Sequence, residues 1–415
     1  MEKIILEIVQ QAKEASRVIA TQTTEIKDKV LRSIGENLQK NSALILQENK
    51  KDIDEAEKLS LSKALIDRLL IDEKRIDNMV RELSNIINLK DPVGEVEDFI
   101  VLPNALKTGK MRVPIGVIGI IYESRPNVTL DTSALCIKSG NAIILKGGSE
   151  AFYSNVVLAQ IIRDTLKEHG LPEDIVQYIN TKDRKAVTHL LKQHEYIDII
   201  IPRGGPNLIK KVVEESSIPV IKHDAGVCHL YLDKDYDKDI AIDIIINSKA
   251  QRPGVCNALE CLLIHKEVES EFLLEIINAL KENEIEVRGC SRIKEVANVK
   301  EATDDDWGRE FLDKILAVRV VNNYQDAVDF IARYSSQHTD GIITSNYSKA
   351  MKFTQEVDSS AVIVNASTRF NDGGQLGFGS EMGISTQKLH VRGPMGLKDL
   401  TCCKNIIFGE GQIRC

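Results

Sequence analysis

The sequence predicts an α/β protein built on two mostly parallel sheets. Short apolar runs, typical of buried strands, alternate with helical segments of about 10–15 residues, and this alternation favours parallel strands with helices on both faces. The 415 residues are enough for two to four domains at roughly 100–200 residues each. The runs that predict the first sheet are 115–121, 142–145, 176–179 and 197–201. A second sheet is predicted to start at Val220 and to continue through 230–232, 259–264, 315–321, 341–344 and 361–365.

The first ninety residues predict helices. Apolar residues recur at helical spacing over 4–19, with charged and amide side chains opposite them. The threonines at 23–24 can cap a second helix, and Asn41-Ser42 offers a cap for a third. Residues 65–89 indicate one or two further helices.

Two segments outside the sheets predict smaller strands. Residues 98–113 indicate two short strands around a turn at Gly109. Residues 401–408 form a strand pattern with no obvious partner nearby, so this strand pairs either with 98–113 or with another subunit. Residues 367–387, rich in glycine and polar side chains, are expected to form a loop.

Composition excludes several classes of function. Apolar residues make up 43% and charged residues 28%, which is typical of a globular protein. The 54 basic and 62 acidic residues give a net charge of −8, so neither nucleic acid nor an anionic membrane is an expected partner. No run is long enough to span a membrane, and the N-terminus lacks the pattern of a secretory signal. The eight cysteines are sparse, which indicates reduced thiols and a cytoplasmic location.

Several familiar motifs are absent from the sequence. It has no G-x-G-x-x-G that opens a helix after a strand, no Walker-type phosphate loop and no G-x-S-x-G nucleophile elbow. His223, Cys228 and His229 lack the spacing of a metal site, so no metal is expected.

The strongest local signal is Cys256. It follows a Pro-Gly pair at 253–254, where the backbone is expected to turn and expose the side chain. Lys249 and Arg252 are near in sequence, and positive charge favours the thiolate that a nucleophilic cysteine needs. Cys256 is therefore a candidate catalytic nucleophile, with an ordinary loop thiol as the alternative. Cys261, inside an apolar run, is more simply a small buried hydrophobe.

A second signal is the Leu-Lys-Gly-Gly-Ser segment at 145–149, which ends a strand before a helix. A lysine there, with the backbone N–H groups of the helix start, suits a nucleotide phosphate or ribose hydroxyls. The alternative is a solvated lysine beside a flexible turn. The Arg-Gly-Gly-Pro-Asn segment at 203–207 repeats the arrangement, and two such loops predict one dinucleotide crevice. The candidate cofactor-binding residues in these loops are Lys146, Gly148, Ser149, Gly204 and Gly205.

Taken in order, these motifs resemble the aldehyde dehydrogenase superfamily. Within it the chain resembles the glutamate-5-semialdehyde dehydrogenases, also called gamma-glutamyl phosphate reductases, over nearly its whole length. The segments that carry this resemblance are 122–129 (Tyr-Glu-Ser-Arg-Pro-Asn-Val-Thr), 143–150, 202–206, 222–229, 251–257, 371–381 and 393–396.

The resemblance implies an aldehyde-dehydrogenase-like fold, with two parallel-sheet α/β domains plus a small β oligomerisation arm. An NADP(H)-binding domain would comprise residues 1–97 and 114–225, a catalytic cysteine domain 226–387, and the arm 98–113 and 388–415. Subunits of the family associate through this arm, so a homo-oligomer is implied. A glutamate 5-kinase is a further candidate partner, because its product is unstable in water.

The implied reaction is the second step of proline biosynthesis, in which NADPH reduces L-glutamyl 5-phosphate to L-glutamate 5-semialdehyde and phosphate is released. The thiolate of Cys256 would displace phosphate to form a thioester, and hydride transfer would then give an oxyanion. The backbone N–H of Cys256 and the side chain of Asn127 are candidate oxyanion donors, although a purely structural asparagine is an alternative. Two of three arginines are expected to bind the acidic groups of the substrate. These arginines are Arg125, Arg252 and Arg369.

Two departures from the wider superfamily are informative. Hydrolytic members carry a glutamate base in the loop matching 222–226, whereas the matching position here is His223. A reductase gains nothing from hydrolysing its thioester. Members that use NAD often carry an acid three residues after the cofactor lysine, where this chain has Ser149 followed by Glu150, and this difference favours NADPH. Glu310 matches the family position that holds the nicotinamide ribose, while on sequence alone it is a helix or loop acid.

Two rival functions remain open. An aldehyde-oxidising dehydrogenase would turn over simple aldehydes without phosphate, and the missing glutamate base argues against it. A catalytically silent scaffold would bind a nucleotide but would carry an inert Cys256.

Overall fold

The computed structural model describes residues 1–222 and 225–414, which form two compact units. Unit 1 comprises Met1–Lys222, Phe378–Gly383 and Met395–Cys415, and unit 2 comprises His223–Gly377 and Ile384–Pro394.

The helices and strands follow one another along the chain in the alternation that the sequence predicts. The helices are α1 (Glu2–Ile19), α2 (Thr24–Lys40), α3 (Ser42–Lys58), α4 (Lys63–Leu69), α5 (Glu73–Asn88), α6 (Asn127–Lys138), α7 (Phe152–Glu168), α8 (Lys185–Leu190), α9 (Pro206–Glu215), α10 (Lys238–Ala250), α11 (Ser270–Glu282), α12 (Ser291–Val296), α13 (Tyr324–Tyr334) and α14 (Tyr347–Glu356). The strands are β1 (Val96–Val101), β2 (Lys107–Pro114), β3 (Val117–Tyr122), β4 (Ala142–Gly147), β5 (Val176–Tyr178), β6 (Ile199–Arg203), β7 (Cys228–Leu232), β8 (Leu259–His265), β9 (Glu286–Gly289), β10 (Lys300–Glu301), β11 (Ile315–Val321), β12 (Thr339–Ile343), β13 (Ala361–Val364), β14 (Ile384–Ser385), β15 (Gly393–Pro394) and β16 (Thr401–Phe408).

Helices α1 to α5 confirm that the first ninety residues are helical. Thr23 caps α2, because its side-chain oxygen accepts a hydrogen bond from the N–H of Ile26. Asn41 precedes α3, but its side-chain amide donates to the carbonyl of Asn37 in the previous helix. The boundary predicted at Asn41-Ser42 is therefore correct, while the side chain of Asn41 satisfies the end of α2 and does not cap α3.

The larger sheet of unit 1 has the strand order β5-β4-β3-β6, and all its strands are parallel. Helices α1, α8 and α9 pack against one face, and α6 and α7 pack against the other. The chain builds β3, β4 and β5 outward in one direction and then returns to place β6 on the other side of β3. This reversal creates a topological switch point between β3 and β6, which is where open parallel sheets bind ligands.

Strands β1, β2 and β16 form a separate antiparallel sheet in the order β1-β2-β16. The C-terminal strand thus pairs with the 98–113 region of its own chain. The turn predicted at Gly109 is wrong, because Gly109 lies inside β2 opposite Ile406 and the chain turns at 102–106, where Ala105 has a φ of +69°. A Cβ at Gly109 would lie 2.8 Å from the Phe99 ring, so this glycine makes room for an aromatic side chain on the neighbouring strand.

Unit 2 contains a seven-stranded parallel sheet in the order β10-β9-β11-β8-β7-β12-β13. Helices α10, α11 and α12 cover one face, and α13 and α14 cover the other. Cys261 is fully buried in the second of these cores, as predicted. Residues 367–387 are largely loop, interrupted by a 3-10 turn at Thr368–Phe370 and by β14, which pairs with β15.

Val220 does not start the sheet of unit 2, as the sequence had predicted. It forms a parallel bridge with Ile200 of β6, whose N–H donates to the carbonyl of Pro219 at 2.9 Å. Strand β6 lies at the edge of its sheet, and its outward backbone groups need partners, which this extended segment supplies.

Within the described ranges, none of the helices combines the length and the apolar character that crossing a membrane requires.

Candidate active site

Cys256 lies in the loop that joins α10 to β8 in unit 2. Its side chain is half-buried in a turn directly after the Pro-Gly pair, in agreement with the sequence. The loop is anchored by Asn257, whose side-chain amide donates to the carbonyl of Asn371 at 3.0 Å. A second anchor is Gln251, whose side-chain oxygen accepts from Nε of Arg369 at 2.8 Å. The candidate nucleophile therefore sits on a loop held to the 367–371 segment at both ends.

The segment Gly226–Cys228 lies against the backbone of Cys256. A Cβ at Gly226 would be 2.5 Å from the carbonyl carbon of Cys256 and 2.6 Å from its Cα, and closer still to the carbonyl oxygen. Only glycine allows this approach. The thiol of Cys228 donates to the same carbonyl oxygen, with Sγ 3.1 Å away. Burial, followed by the nearby carboxylate of Asp340, raises the pKa of Cys228 well above its ordinary value, so the thiol keeps the proton it donates.

Lys249 is paired with Glu260 in the core below this loop. The ammonium nitrogen lies 2.6 Å from a carboxylate oxygen of Glu260, and both side chains are fully buried. Burial lowers the pKa of Lys249 and raises that of Glu260, while each partner acts on the other in the opposite direction. Because the pair joins the end of α10 to the start of β8, it closes the base of the loop. The sequence suggested Lys249 as a charge that favours the thiolate, but Glu260 largely neutralises that charge.

Arg369 is a cation within electrostatic reach of Cys256. Burial lowers the pKa of Arg369 and the exposed Arg252 lowers it further, whereas Asp372 and the Cys256 thiolate act in the opposite direction. Arg369 thus interacts electrostatically with Arg252, a second of the three arginines predicted to bind substrate, and with the candidate nucleophile. The third, Arg125, belongs to unit 1, where it lies exposed just before α6.

Glu310 contacts Gly226, which also packs against the backbone of Cys256. One of its carboxylate oxygens accepts a hydrogen bond from the N–H of Gly226 at 2.9 Å. Burial raises the pKa of Glu310, and the bond from Gly226 partly offsets the rise. The residue predicted to hold the nicotinamide ribose is thus linked through Gly226 to the backbone of Cys256.

Lys146 lies near the end of β4 in unit 1, where its side chain is buried. Its ammonium donates to the carbonyl of Gly147 at 2.7 Å. Burial lowers the pKa of Lys146, and the carboxylate of Glu150 acts in the opposite direction. Ser149 begins a 3-10 turn that leads into α7, and Glu150 accepts hydrogen bonds from the N–H of Ser124 at 2.7 Å and from its hydroxyl at 2.9 Å.

Carboxylates occupy the space beside the glycines of the two cofactor loops. A Cβ at Gly148 would collide with the carboxylate of Glu150, and one at Gly204 would lie 2.5 Å from Oε2 of Glu123. The same Glu123 oxygen accepts the N–H of Gly205, the residue that precedes α9, at 2.8 Å. Since β4, β3 and β6 are parallel neighbours, these loops lie at one edge of the sheet, as the sequence predicts.

The groups at this sheet edge fit a dinucleotide. A buried lysine ammonium has three N–H donors, of which Lys146 gives one to Gly147, and it suits a phosphate oxygen. Glu123 and Glu150 are engaged within the loops, since they accept hydrogen bonds from Gly205 and Ser124.

Asn127 is the first residue of α6. Its side-chain amide donates to Oδ2 of Asp131, one helical turn further on, at 2.7 Å. Burial, together with Glu82, raises the pKa of Asp131 to about 7, while Asn127 and Arg203 oppose the rise. The candidate oxyanion donor is therefore held by a carboxyl that titrates near neutrality.

Sequence reasoning missed Glu123, Asp131 and the contact of Gly226 with Cys256. Glu123 comes shortly after the predicted strand 115–121, and the observed strand order places the end of that strand between the two cofactor loops. The contact of Gly226 joins segments about thirty residues apart and leaves no local signal.

His223, the predicted counterpart of the hydrolytic base, lies outside the described residues. Within 1–222 and 225–414, no three His, Cys, Asp or Glu side chains are grouped so that they could hold a metal ion. None of the seven cysteines in those ranges forms a disulfide.

The chain is similar to known proteins along its whole length. The model of the aldehyde dehydrogenase family matches residues 2–289. A gamma-glutamyl phosphate reductase of Nautilia profundicola is 52% identical over 408 residues, which cover 98% of this chain and 99% of that protein. A gamma-glutamyl phosphate reductase of Clostridium botulinum is 51% identical over 415 residues and is covered, like this chain, to 100%. The crystal structure of gamma-glutamyl phosphate reductase from Thermotoga maritima is 46% identical, covers 99% of both chains and matches with a TM-score of 0.97, which confirms the predicted fold.

Proposed function

The chain belongs to the aldehyde dehydrogenase family, and we propose that it reduces L-glutamyl 5-phosphate to L-glutamate 5-semialdehyde with NADPH and releases phosphate. This reaction is the second step of proline biosynthesis. The observation that carries the proposal is the full-length similarity to gamma-glutamyl phosphate reductases, together with a half-buried Cys256 on an anchored loop within electrostatic reach of Arg369.

The first chemical step is an acyl transfer to Cys256. Its thiolate attacks the acyl carbon, the bond from that carbon to the phosphate oxygen breaks, and inorganic phosphate leaves with the electron pair. The product is a thioester on Cys256. Arg369 and Arg252 neutralise the negative charge of the substrate, and the nearby cation also favours the thiolate over the thiol.

NADPH, when bound, supplies the hydride that reduces the thioester carbonyl. The backbone N–H of Cys256 is the proposed donor to the resulting oxyanion, and in comparable sites such a donor contributes about 3–4 kcal/mol. Asn127, which belongs to unit 1, stays the second candidate donor that the resemblance implies. Collapse of the oxyanion releases the aldehyde and returns the thiolate of Cys256.

The cofactor is assigned to two sets of side chains. Lys146, Gly148, Ser149, Gly204 and Gly205 bind its adenosine and phosphate groups in unit 1. Glu310 in unit 2 binds the nicotinamide ribose. Arg125 is the third candidate for the acidic groups of the substrate.

The antiparallel sheet of β1, β2 and β16 is assigned to association of identical subunits. Its exposed apolar side chains support this role, because exposed apolar side chains on a small sheet can be buried by association, and the rings of two of them, Phe99 and Phe408, lie 6.2 Å apart. The exposed apolar side chains are Phe99, Ile100, Val101, Ile407 and Phe408. The arm would comprise 98–113 and 388–415, beside a cofactor domain of 1–97 and 114–225 and a catalytic domain of 226–387. We further propose that the protein acts in the cytoplasm. There it would receive the unstable acyl phosphate from a glutamate 5-kinase.

The test runs the reaction backwards, because the aldehyde is easier to handle than the acyl phosphate. Purified protein is mixed with glutamate semialdehyde, NADP and inorganic phosphate, and NADPH absorbance is followed. We expect phosphate-dependent NADPH formation that is lost in Cys256→Ala and kept in Cys261→Ala, which removes a fully buried thiol of β8.

Two results would refute the proposal. Turnover without phosphate would indicate an aldehyde-oxidising enzyme. Absence of turnover with any aldehyde, despite measurable NADPH binding, would indicate a silent nucleotide-binding scaffold.

A further inference from the structure

The carbonyl group of Cys256 is fixed from one side by a single short segment. Gly226 packs its backbone against this carbonyl, and Cys228, the first residue of β7, donates its thiol to the oxygen at an Sγ–O distance of 3.1 Å. The residue between them, Val227, donates its N–H to the hydroxyl of Ser336 at 2.9 Å. The segment 226–228, which contacts the carbonyl, is therefore itself fixed by a hydrogen bond to Ser336.

The orientation of this carbonyl controls the orientation of the nucleophile. Rotation of the peptide plane that follows Cys256 changes the backbone around its Cα, and the Cα–Cβ bond and the sulfur move with it. A misplacement of about 1 Å at a reacting atom can reduce a rate about a hundredfold. A residue that donates a hydrogen bond to this carbonyl can thus position the sulfur without taking part in the reaction.

Cys228 has the properties that such a donor needs. Its side chain is fully buried, so water does not compete for the carbonyl. Its thiol remains protonated because burial raises its pKa. On its other side, Sγ lies 3.8 Å from Nδ1 of His338, and that nitrogen is 2.8 Å from the hydroxyl of Thr339. The thiol is thereby confined between the nucleophile loop and the start of β12.

We propose that Cys228 is a positioning residue for Cys256, acting through its thiol hydrogen bond to the Cys256 carbonyl. The inference rests on the proposed function, since it takes Cys256 as the nucleophile. Cys228 itself forms no covalent bond and transfers no proton in the reaction.

The test compares variants that separate hydrogen bonding from packing. Cys228→Ala removes the donor and Cys228→Ser retains one. Cys261→Ala is the matched control, because Cys261 is equally buried and lies on the neighbouring strand, paired with His229. Cys228→Val removes the donor while filling the space, and it replaces the alanine variant in the comparison if that variant does not fold.

Two readouts are measured on each folded variant. The first is kcat and KM in the phosphate-dependent reverse reaction. The second is the rate at which iodoacetamide alkylates Cys256, followed by mass spectrometry of the peptide that contains it. The alkylation rate needs neither substrate nor cofactor, so it reports on the sulfur even if the proposed reaction is wrong.

We expect Cys228→Ala and Cys228→Val to lower kcat about tenfold with KM little changed, as the loss of one hydrogen bond predicts. In the same two variants, the rate at which iodoacetamide alkylates Cys256 should differ from the rate in the parent protein by more than about threefold. Cys228→Ser and Cys261→Ala should stay within about threefold of the parent protein in both readouts. The proposal is overturned if Cys228→Ala behaves like Cys261→Ala, or if Cys228→Ser is as slow as Cys228→Ala. If the parent protein shows no phosphate-dependent turnover, the proposed function fails, and the alkylation rates alone then decide whether Cys228 positions Cys256.

Discussion

Replacing Gly226 with alanine tests whether the backbone contact below the nucleophile is required. The added Cβ would lie 2.5 Å from the carbonyl carbon of Cys256 and 2.6 Å from its Cα, whereas ordinary contacts begin at 3.4 Å. Both sides of this contact are backbone, so no flexible side chain can move aside. The two segments must separate by about 1 Å, which in a catalytic site can reduce the rate about a hundredfold.

We therefore expect Gly226→Ala to lower kcat about a hundredfold, equivalent to about 2.7 kcal/mol in the activation free energy. The matched control is Gly254→Ala in the same loop as Cys256. A Cβ at Gly254 would meet its nearest neighbour, the carbonyl oxygen of Leu312, at 3.7 Å, and its φ lies outside the left-handed region. This control should keep kcat within about threefold of the parent value, since it adds one methyl group without strain.

The assay is the phosphate-dependent formation of NADPH from glutamate semialdehyde, with thermal unfolding of each variant as a check on folding. Overpacking is expected to destabilise Gly226→Ala by about 1–3 kcal/mol as well, so rates must be compared at a temperature where both variants are folded. A folded Gly226→Ala protein with near-normal kcat would show that the contact does not position Cys256. Equal losses in both alanine variants would show that the loop tolerates no added methyl group, whatever its contacts.

Three further predictions concern buried charges and the substrate cations. Either Glu260→Gln or Lys249→Met should lower the free energy of unfolding by about 3–5 kcal/mol, because a charge or polar group loses its buried partner, and the double substitution Lys249→Met/Glu260→Leu should recover much of the loss in denaturant titrations. Burial raises the pKa of Asp131 to about 7. The stability that Asp131 contributes is therefore complete below about pH 4 and is lost as the pH rises through about 7, up to about 4 kcal/mol. In Asp131→Asn the difference in urea stability between pH 5 and pH 8 should shrink accordingly, and an unchanged difference would contradict this reasoning. Arg369→Lys should raise KM for the substrate about tenfold with a smaller effect on kcat, because lysine cannot form the bidentate contact with a phosphate or carboxylate, and an unchanged KM would remove Arg369 from the substrate site.

The sequence predicts most strands of both large sheets, because their apolar runs are short and bounded by turns. It misses β9 and β10 of the unit 2 sheet, which are short and alternate with charged residues. The prediction fails where the same local sequence pattern occurs in more than one kind of structure. Gly109 was predicted to form a turn, but it lies inside β2, where its missing side chain admits Phe99. Val220 belongs to an extended segment that pairs with the edge strand β6, and an extended segment alone does not reveal which sheet it joins.

The features of the site also divide into those that a local pattern predicts and those that it does not. The turn at Cys256 is predicted from the neighbouring Pro-Gly pair, and the shared position of the two cofactor loops is predicted from parallel strand ends. The partner of Lys249 is not predicted, although Glu260 is only eleven residues away, because the loop between them must fold back before the two side chains meet. Proximity in sequence suggested a charge for the thiolate, whereas the folded chain uses that charge to close the base of the loop.

The contacts of the Cys256 loop are directed at backbone atoms, and they join motifs that are far apart in the sequence. The carbonyl of Cys256 is held by Gly226 and Cys228, and the next residue, Asn257, reaches the carbonyl of Asn371. Each contact crosses from a distant segment of the chain to a main-chain atom. The motifs therefore identify the chemistry, while the contacts between one motif and another, such as those of Gly226 and Cys228 with Cys256, are seen only in the folded chain. It follows that substitutions at Gly226 and Cys228 should affect the rate more than most substitutions in the immediate sequence neighbourhood of Cys256, such as Gly254→Ala.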